Sequence, residues 1–573
     1  MGGSSDAHRG TDQFDVVSLY GRHPSKRWER TSVGDMFERM CWSYPDKEAI
    51  VASPDACGSA RFARLTYRTA DQLANRIANA LIARGLQRGD RVVFFCENSV
   101  EAYIAKFGIA KAGMVGAPIN PRMAPDVQDH LLATLEPKLA IVDRELWSAA
   151  EATFTQHGLT GVMIPIGGVD LPDDWVSFEQ FVDGAPADEP DVEIHGDDIW
   201  EILPTSGTTS MPKGVMMSHH CSYIGAYGNA LTFSRGLRFE SDMRTCSVLP
   251  LIYHAPDQTQ AFPAFLCGGT LIMGRQAKAV NFATMVSEER ATHLWAGSPQ
   301  FIEEMIAEIE ANPGRYDITS LTSVVFAWAA LDPATADKLK ALCGEQVQLV
   351  EILGQTEAMP CTRFYPDKWP EIYRASAPAT NHTGLPAPIL AAGLMDEEGR
   401  LIERSTPNVA GEIVYRTPAM TAGYYKNEQA TQEAFRGGWF HSGDACIYDE
   451  NGLFVMVDRY KDVIKSGGEN VSTIRVEGVM RGHEAVEKAA VVGLNHPRWG
   501  EAVTAFVILA PGKNCTEEEL IAYGRARLAG FEAPKAVIFV DEIPMTLGSK
   551  VLKYKLRERY RDHFLANETA DRN

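Results

Sequence analysis

The sequence predicts an α/β protein in two unequal parts: a large N-terminal domain of several subdomains with parallel-rich sheets and helices, and a small C-terminal α+β domain. Three observations support this fold class. The chain has 573 residues, too many for one ordinary domain. Strand-like and helix-like segments alternate in its first part, and the pattern changes after "DRYKD" at 458–462. We therefore expect a polar tail over residues 1–28, a large domain over 29–459 and a small domain over 460–573.

The alternation is clearest between residues 90 and 143. The segment "DRVVFFCENSVEAYIAKFGIAKAGMVGAPINP" predicts a buried strand at 92–96, an amphipathic helix at about 100–111 and a short strand near 114–118. Another helix is expected after Pro125, and "LAIVD" at 139–143 predicts a further strand. Strands and helices in this order favour a substantially parallel sheet.

Net charge and cysteine spacing exclude several classes of protein. Lys and Arg number 55 against 75 Asp and Glu, and the resulting net charge of −20 argues against a nucleic-acid partner. The ten cysteines form no C-x-x-C pair, so neither a zinc site nor a disulfide framework is expected, and a cytoplasmic location fits best. The N-terminal segment has no apolar signal-like region. No apolar run approaches the roughly 18 residues that a membrane span requires, so no span is expected.

The loop "PTSGTTSMPKG" at 204–214 carries the first functional signal. Its hydroxyl and glycine residues allow backbone N–H groups to converge on an anion, and a triphosphate is a plausible guest. The loop is not a Walker A motif, because Lys213 is followed by Gly214 instead of Ser or Thr. Taken alone, such a loop is more often an ordinary turn.

Six segments in order resemble the motifs of the adenylate-forming superfamily, and in particular its acyl-CoA synthetase branch. They are "TSGTTSMPKGVMMSH", "ILGQTEA" (352–358), "GEIVYRTPAMTAGYY" (411–425), "WFHSGD" (439–444), "DRYKDVIKSGGENV" (458–471) and "PMTLGSKVLKYKLR" (544–557). The chain departs from the family pattern at Ser210, which replaces a usual glycine. Gly548 and Ser549 are exchanged relative to the common order.

The resemblance implies a two-step reaction on a carboxylic acid. ATP converts the acid to an acyl-AMP with release of pyrophosphate, and the thiol of coenzyme A then displaces AMP. The implied cofactors are ATP, Mg²⁺ and coenzyme A. Magnesium and cationic groups suit the charge that moves about phosphorus in the first step.

The resemblance also assigns roles to particular residues. Glu357 is implied as the carboxylate nearest magnesium, with Thr205 or Thr208 helping. The residues implied along the phosphate track are Thr205, Ser206, Gly207, Thr208, Thr209 and Lys213. Those implied at the adenosine and its α-phosphate are Ala329, Ala330, Gln355 and Thr356. By residue type alone, Glu357 is more often a solvated loop acid.

Asp444 is expected to accept both ribose hydroxyls, because a carboxylate can form two short hydrogen bonds, with Arg459 as its companion. The alternative for Asp444 is an Asx-turn after Gly443. Lys550 stands where the family keeps its catalytic lysine, which bridges the acid and the α-phosphate. By composition alone it is a surface charge.

The small domain is expected to be mobile. In the family it closes with its lysine inward for adenylation and then rotates to present a glycine-rich loop to the thiol. Here Lys461 would be the hinge, and Lys465, Gly467 and Gly468 would face the thiol. The two glycines are equally natural in a tight turn.

The substrate pocket is expected around Tyr253, His254, Trp328 and Gly354. His254 borders the acyl pocket by resemblance and is otherwise a structural histidine. Trp328 stands where many relatives have glycine, so it is expected to narrow or redirect the acyl tunnel. No Lys or Arg marks a second polar group on the substrate, which favours an apolar acid: medium to long fatty acyl, or a hydrophobic cyclic or aryl acid.

Alternatives remain for the second half-reaction. The leading expectation is transfer to coenzyme A; the others are transfer to a carrier protein and a non-catalytic nucleotide-binding role. No carrier-like G-G-x-S module follows the small domain, which favours a diffusible thiol. Retention of Glu357, Asp444, Lys213 and Lys550 together counts against the non-catalytic role. A homodimer is left open.

Overall fold

The fold is described from a computed structural model covering residues 31–205, 211–459, 462–467, 469–545 and 551–564. The tail predicted for residues 1–28 lies outside these ranges. Within them no helix has the length and apolar character needed to cross a membrane.

The described residues form 26 strands. In chain order they are β1 Glu48–Ala52, β2 Arg64–Thr66, β3 Arg91–Phe95, β4 Val115–Pro118, β5 Leu139–Asp143, β6 Gly161–Ile164, β7 Val176–Ser177, β8 Ile199–Pro204, β9 Gly214–Ser218, β10 Arg244–Ser247, β11 Thr270–Met273, β12 His293–Gly297, β13 Ser323–Ala327, β14 Gln348–Gln355, β15 Ala358–Phe364, β16 Asn381–Pro386, β17 Ala391–Met395, β18 Leu401–Ile402, β19 Gly411–Arg416, β20 Phe440–Tyr448, β21 Phe454–Arg459, β22 Ile464–Ser466, β23 Glu469–Val471, β24 Val486–His496, β25 Gly500–Leu509 and β26 Ala536–Phe539.

The same residues form 16 α-helices. They are α1 Asp35–Ser43, α2 Tyr67–Ala83, α3 Val100–Lys111, α4 Pro125–Leu135, α5 Trp147–Gln156, α6 Phe178–Val182, α7 His219–Phe233, α8 Phe262–Leu266, α9 Ala279–Glu288, α10 Pro299–Ala311, α11 Pro333–Cys343, α12 Pro370–Ser376, α13 Glu428–Ala434, α14 Thr473–Arg481, α15 Glu517–Arg525 and α16 Lys553–Arg559. A π-helical turn at Asp257–Ala261 leads into α8.

The strands assemble into three sheets. A seven-stranded sheet has the order β7-β6-β5-β3-β4-β8-β9, and its pairs are parallel except for the β8–β9 hairpin. The longest runs β18-β17-β19-β20-β21-β16-β15-β14-β13-β12-β10-β11-β1-β2. Its central strands, from β14 through β11 to β1, are parallel, while β15 to β21 are antiparallel. The third sheet holds β22 to β26. The predicted fold class, α/β with a small C-terminal unit, is confirmed.

The elements predicted between residues 90 and 143 are also present. The helix spans Val100–Lys111 as expected, and the strands begin at Arg91, Val115 and Leu139. These strands pair in parallel, as β3 with β4 and β3 with β5. The sequence pattern was strong here because both faces of the sheet are covered, so that its strands are continuous apolar runs.

The prediction that α3 is amphipathic was wrong, because every residue of this helix is buried. Its polar side chains face partners inside the protein instead of solvent. Glu101 accepts hydrogen bonds from the backbone amides of Gly58 and Ser59, and Lys111 pairs with Asp71 at 2.8 Å. Charged residues can occupy a buried helix when each is paired or hydrogen-bonded, and periodicity alone does not reveal such partners.

The third charged residue of α3, Lys106, joins the helix to the start of the π-helical turn. Lys106 Nζ lies 2.8 Å from Glu201 and also contacts the carboxylate of Asp257, to which Tyr103 donates a hydrogen bond of 2.9 Å. Burial raises the pKa of Glu201 to about 7. This buried cluster joins α3, β8 and the turn that follows His254.

Candidate active site at the carboxyl edge of the longest sheet

Two parallel strands of the longest sheet end side by side, and predicted site residues follow both. All of β13 pairs with residues 348–352 of β14, which runs three residues further. Trp328, Ala329 and Ala330 follow β13, while Gly354 and Gln355 end β14. The carboxyl ends of parallel strands are the usual ligand-binding edge of an open α/β sheet. The predicted adenosine-binding and acyl-binding residues therefore share one edge.

Asp444 lies on the antiparallel part of the same sheet and reaches this edge. It is fully buried on β20, directly opposite Arg459 on β21. Arg459 Nε lies 2.7 Å from Asp444 Oδ1. Gln355 Nε2 donates to Asp444 Oδ2 at 2.8 Å and to the carbonyl of Ser442 at 2.7 Å. Asp444, Arg459 and Gln355, which were predicted together as nucleotide contacts, thus meet in one cluster.

Glu357 occupies the turn between β14 and β15, next to the half-buried Thr356. It is buried, and burial raises the pKa of its carboxyl. Tyr424 OH donates a hydrogen bond of 2.8 Å to Glu357 Oε1 and so lowers that pKa, as do the positive charges of Arg459 and Lys213 to a smaller extent. The carboxyl therefore has cationic neighbours but no direct ion pair with them.

The hairpin of β8 and β9 brings Lys213 to Glu357. Its two arms are joined below the loop, where Thr205 N donates to the carbonyl of Lys213 at 2.8 Å and Lys213 N donates to Thr205 Oγ1 at 3.1 Å. Lys213 Nζ lies 4.7 Å from the centre of the Tyr424 ring. Tyr424 thus contacts both predicted groups: its ring faces Lys213, the predicted phosphate-binding lysine, and its hydroxyl binds Glu357, the predicted magnesium ligand.

Tyr424 is a site residue that the sequence reasoning did not assign. It belongs to the segment 419–425, which pairs with both the hairpin and β15. Met216 N donates to the carbonyl of Gly423 at 2.9 Å, and Thr421 N donates to the carbonyl of Glu357 at 2.8 Å. The signal was available in "TAGYY", but its contribution depends on contacts between segments about 70 and 200 residues apart, which no local pattern encodes.

Tyr253 and His254 lie in the loop just before the π-helical turn. His254 is buried, and burial lowers its pKa to about 4, so the imidazole is neutral at neutral pH. Tyr253 OH accepts a hydrogen bond of 2.8 Å from Asn120 Nδ2. Asn120 follows β4 of the seven-stranded sheet by two residues. A neutral histidine suits an apolar substrate pocket better than a charged one.

Trp328 has a backbone conformation that favours glycine. Its φ is +74°, a left-handed value that costs a bulky side chain about 1–3 kcal/mol. The indole is half-exposed and packs edge-on against Trp295, with ring centres 6.0 Å apart. It also covers Gly297, where an added Cβ would lie 3.2 Å from the Trp328 ring and 2.5 Å from Leu249. The large side chain thus adds apolar surface at this edge despite its strained backbone.

The thiol-side residues that the structure describes are exposed. Lys465 lies on β22, and its amide donates to Glu501 Oε2 at 2.7 Å. Gly467 follows with φ of +63°, and its amide donates to the carbonyl of Trp499 at 2.9 Å. Lys465 is therefore held by β25, and Gly467 by the turn that precedes β25.

Several predicted residues lie outside the described ranges. These are Ser206, Gly207, Thr208, Thr209, Lys461, Gly468 and Lys550.

The residues near the hairpin fit the chemistry of magnesium. Among the described residues no group of three or more His, Cys, Asp or Glu side chains could hold a metal ion. Magnesium in nucleotide enzymes commonly takes only one or two protein carboxylates, its other ligands being phosphate oxygens and water. Glu357 with the hydroxyl of Thr205 is a donor set of that kind.

The fold and this edge together define an adenylate-forming enzyme. Comparison with known proteins supports that class. The sequence model of the AMP-binding enzyme family matches residues 37–425, and that of the AMP-binding enzyme C-terminal domain matches residues 475–550. The chain belongs to the AMP-binding enzyme family, within the acyl-CoA synthetase branch of the adenylate-forming superfamily.

Individual relatives agree with this class over nearly the whole chain. A feruloyl-CoA synthase from Amycolatopsis is 32% identical over 87% of this chain and 94% of its own length. The long-chain-fatty-acid–CoA ligase FadD13 of Mycobacterium tuberculosis is 31% identical over 87% and 93%. The crystal structure of ATP-bound MatB from Rhodopseudomonas palustris is similar at a TM-score of 0.77 and 27% identity, covering 93% of this chain and 99% of that one. The protein is thus an AMP-forming acid–thiol ligase that uses ATP and coenzyme A.

Proposed function

We propose that this ligase activates a hydrophobic carboxylic acid, with the nucleotide held between Asp444 and Lys213. The observation that carries the proposal is the convergence of Gln355, Asp444 and Arg459 with Glu357 and its tyrosine partner at one sheet edge. In this arrangement Asp444 accepts the ribose hydroxyls, and Ala329, Ala330, Gln355 and Thr356 contact the adenine and α-phosphate. Residues 205–209 and Lys213 line the β- and γ-phosphates.

The first half-reaction is an in-line displacement at the α-phosphorus. A carboxylate oxygen of the acid attacks phosphorus, and the bond to the bridging oxygen breaks, so that pyrophosphate leaves with the electron pair. Lys213 and Lys550 supply positive charge to the reacting phosphates, which is the kind of electrostatic help that lowers such barriers most. Glu357 and Thr205 would hold magnesium, which when bound neutralises phosphate charge.

The second half-reaction replaces oxygen by sulfur at the acyl carbon. The thiol of coenzyme A loses its proton and attacks the carbonyl carbon of the acyl-AMP, and AMP leaves with the electrons of the broken C–O bond. In the proposal the small domain, residues 460–573, rotates about Lys461 relative to residues 29–459. Lys465, Gly467 and Gly468 then line the path of the thiol.

The apolar surface beside the nucleotide site supports a hydrophobic acid. Trp328, Trp295 and Leu249 surround Gly297, and the neutral His254 belongs to the adjoining segment. One similar protein is named a feruloyl-CoA synthase and another a long-chain-fatty-acid–CoA ligase. We favour an acid of medium length or an aryl acid, because the indole of Trp328 takes up volume that a glycine would leave free. A cytoplasmic location is part of the same proposal.

The direct test is product analysis across a panel of acids with ATP, magnesium and coenzyme A. Saturated fatty acids of increasing length, cinnamic acids and short hydroxy acids should be supplied in parallel. We expect AMP, pyrophosphate and an acyl-CoA from the hydrophobic acids. Formation of ADP, or preference for the short polar acids, would contradict the proposal. A carrier protein bearing phosphopantetheine, offered in place of coenzyme A, tests the other acceptor.

Replacing Trp328 by glycine tests the acyl side of the site. Trp328→Gly should move the preferred acid towards longer chains while activity on short acids falls only modestly. Glycine also tolerates φ of +74°, so the variant should gain up to about 1 kcal/mol in stability where lost packing against Trp295 does not offset it. The measurement is kcat/KM for each chain length, together with thermal unfolding. An unchanged length profile would place the indole outside the acyl path.

A further inference from the structure

A buried carboxylate links the large domain to the small domain beside the predicted hinge. Asp458 lies on β21, before residue 461, and is almost fully buried. Its Oδ2 accepts hydrogen bonds from the backbone amide of Thr473 at 2.7 Å and from the hydroxyl of Thr473 at 2.5 Å. Thr473 is the first residue of α14 in the small domain. These two bonds therefore connect residues on opposite sides of the hinge.

The same threonine contacts a lysine that follows the predicted catalytic lysine by three positions. Lys553 begins α16, and its ammonium donates to the hydroxyl of Thr473 and lies 2.9 Å from Glu477 Oε1. Burial raises the pKa of Asp458, and the positive charge of Lys553 opposes that rise. We call Asp458, Thr473, Glu477 and Lys553 the junction network.

The junction network continues to the nucleotide site through one residue. Asp458 Oδ1 accepts a hydrogen bond of 2.7 Å from the backbone amide of Arg459, whose guanidinium lies beside Asp444. Two residues, Asp458 and Arg459, therefore connect α14 to the predicted ribose carboxylate, Asp444. A change in how α14 sits on Asp458 has a short physical route to the nucleotide.

A second ion pair near the hinge provides a contrast. Asp462 pairs with Arg557 of α16 at 2.7 Å, and both residues follow position 461. Rotation of the small domain about Lys461 would carry this pair along intact. The bonds of Asp458 to Thr473 would instead have to break, since only one partner moves.

We propose that Asp458 is a positioning residue that holds the small domain in the arrangement seen here, and that its bonds to Thr473 must break when the enzyme passes from one half-reaction to the other. The inference rests on the proposed function, because it uses the hinge at Lys461. Hydrogen bonds to a buried charge are strong. If they form in only one of the two domain arrangements, their loss lowers the population of that arrangement by the free energy that they contributed to it.

The test compares the two half-reactions in full-length variants. Asp458→Asn removes the charge and Thr473→Val removes the hydroxyl, while each keeps the size of the side chain. Acyl-AMP formation is measured by exchange of pyrophosphate into ATP with an acid that the parent protein activates. Thioester formation is measured by AMP release from the chemically made acyl-AMP and coenzyme A. We expect the ratio of the two rates to change by roughly tenfold or more, in the same direction for both variants.

Asp462→Asn is the matched control, because it removes the same charge from a pair that does not cross the hinge. It should leave the ratio within about twofold of the parent value, even where it lowers stability. An unchanged ratio in Asp458→Asn, or an equal change in Asp462→Asn, would overturn the proposal.

Hydrogen exchange of the protein without substrates separates this inference from the proposed function. In the arrangement seen here Gly478 of α14 lies against Ala379, where an added Cβ would be 3.2 Å from the Ala379 Cα. Asp458→Asn should speed exchange both at the start of α14 and around residues 379–386 of the large domain, while Asp462→Asn should not. Slow exchange at both places in Asp458→Asn would overturn the proposal whether or not an acid is activated. A parent protein that activates no acid would contradict only the proposed function.

Discussion

The two carboxylates of the candidate site are buried to a similar degree but have opposite surroundings. Asp444 lies between the guanidinium of Arg459 and the side-chain amide of Gln355. Glu357 accepts a hydrogen bond from the neutral hydroxyl of Tyr424, and burial raises its pKa. Strands β20 and β21 hold the first carboxylate rigidly, whereas a turn carries the second.

This difference suggests a division of labour between the two groups. Asp444 has its counter-charge built into the protein, which suits a neutral ligand group such as a pair of ribose hydroxyls. Glu357 has no direct ion pair with any residue that the structure describes, so its charge is best stabilised by a cation that arrives with the substrate. Residue type alone does not distinguish these roles. Their environments do.

The largest expected effect is that of Asp444→Asn. The amide can still accept one hydrogen bond, but it loses the charge and leaves Arg459 without its partner. We expect kcat/KM for ATP to fall by about 10²- to 10³-fold, the scale for losing charge-assisted hydrogen bonds in a buried site. Because Glu357 is untouched, the magnesium concentration for half-maximal rate should stay the same.

Steady-state kinetics at varied ATP and magnesium checks this prediction. Asp317→Asn is a suitable control, since Asp317 also pairs with an arginine, at 3.0 Å, but on the exposed surface. A higher magnesium requirement in Asp444→Asn would contradict the proposed division of roles, because both carboxylates would then contribute to metal binding.

Glu357→Gln is expected to have the next largest effect. Glutamine keeps the size of the side chain and can accept the hydrogen bond from Tyr424, so the loss is that of charge alone. Acyl-AMP formation should slow by about 10²-fold, and more magnesium should be needed for half-maximal rate. Glu351→Gln is the matched control, because Glu351 is also a buried carboxyl, on β14, and burial raises its pKa well above the usual value. Equal magnesium dependence in Glu357→Gln and the parent would remove Glu357 from the metal site.

The smallest effect is predicted for Tyr424→Phe, which tests the surroundings of Glu357 through the pH dependence of activity. The hydrogen bond from Tyr424 lowers the pKa of Glu357, so its loss should raise that pKa further. Activity needs the ionised form in our proposal. The acid limb of kcat/KM for ATP should therefore move to higher pH by about one unit, with only a few-fold loss where Glu357 is fully ionised.

The pH profiles of Tyr424→Phe and Tyr425→Phe should be measured side by side. Tyr425 is the next residue of the same segment, and its ring lies 5.4 Å from Lys426 Nζ. Its loss should leave the acid limb unchanged. A shift towards lower pH in Tyr424→Phe would show that the hydroxyl does not stabilise the ionised carboxyl.

The sequence by itself determined the fold class and the order of the chemistry-bearing segments. The alternation of apolar runs with helix-like segments was sufficient to predict β3, α3, β4 and β5. The strands of a parallel sheet that is covered on both faces are continuous apolar runs, which are easy to recognise. Motif order was sufficient to bring Gln355, Glu357, Asp444 and Arg459 under consideration together. Residue type still left two of them with an ordinary alternative: an Asx-turn for Asp444 and a solvated loop acid for Glu357.

Only the tertiary structure decided how these groups are paired. The burial of α3 on every side, the hydrogen bond from Tyr424 to Glu357 and the left-handed backbone of Trp328 all depend on contacts between distant segments. The same holds for Asp458, which reads as part of a hinge motif but lies against the first turn of α14. Local sequence records side-chain type and periodicity, whereas pKa, charge pairing and backbone strain arise from the neighbours that folding brings together.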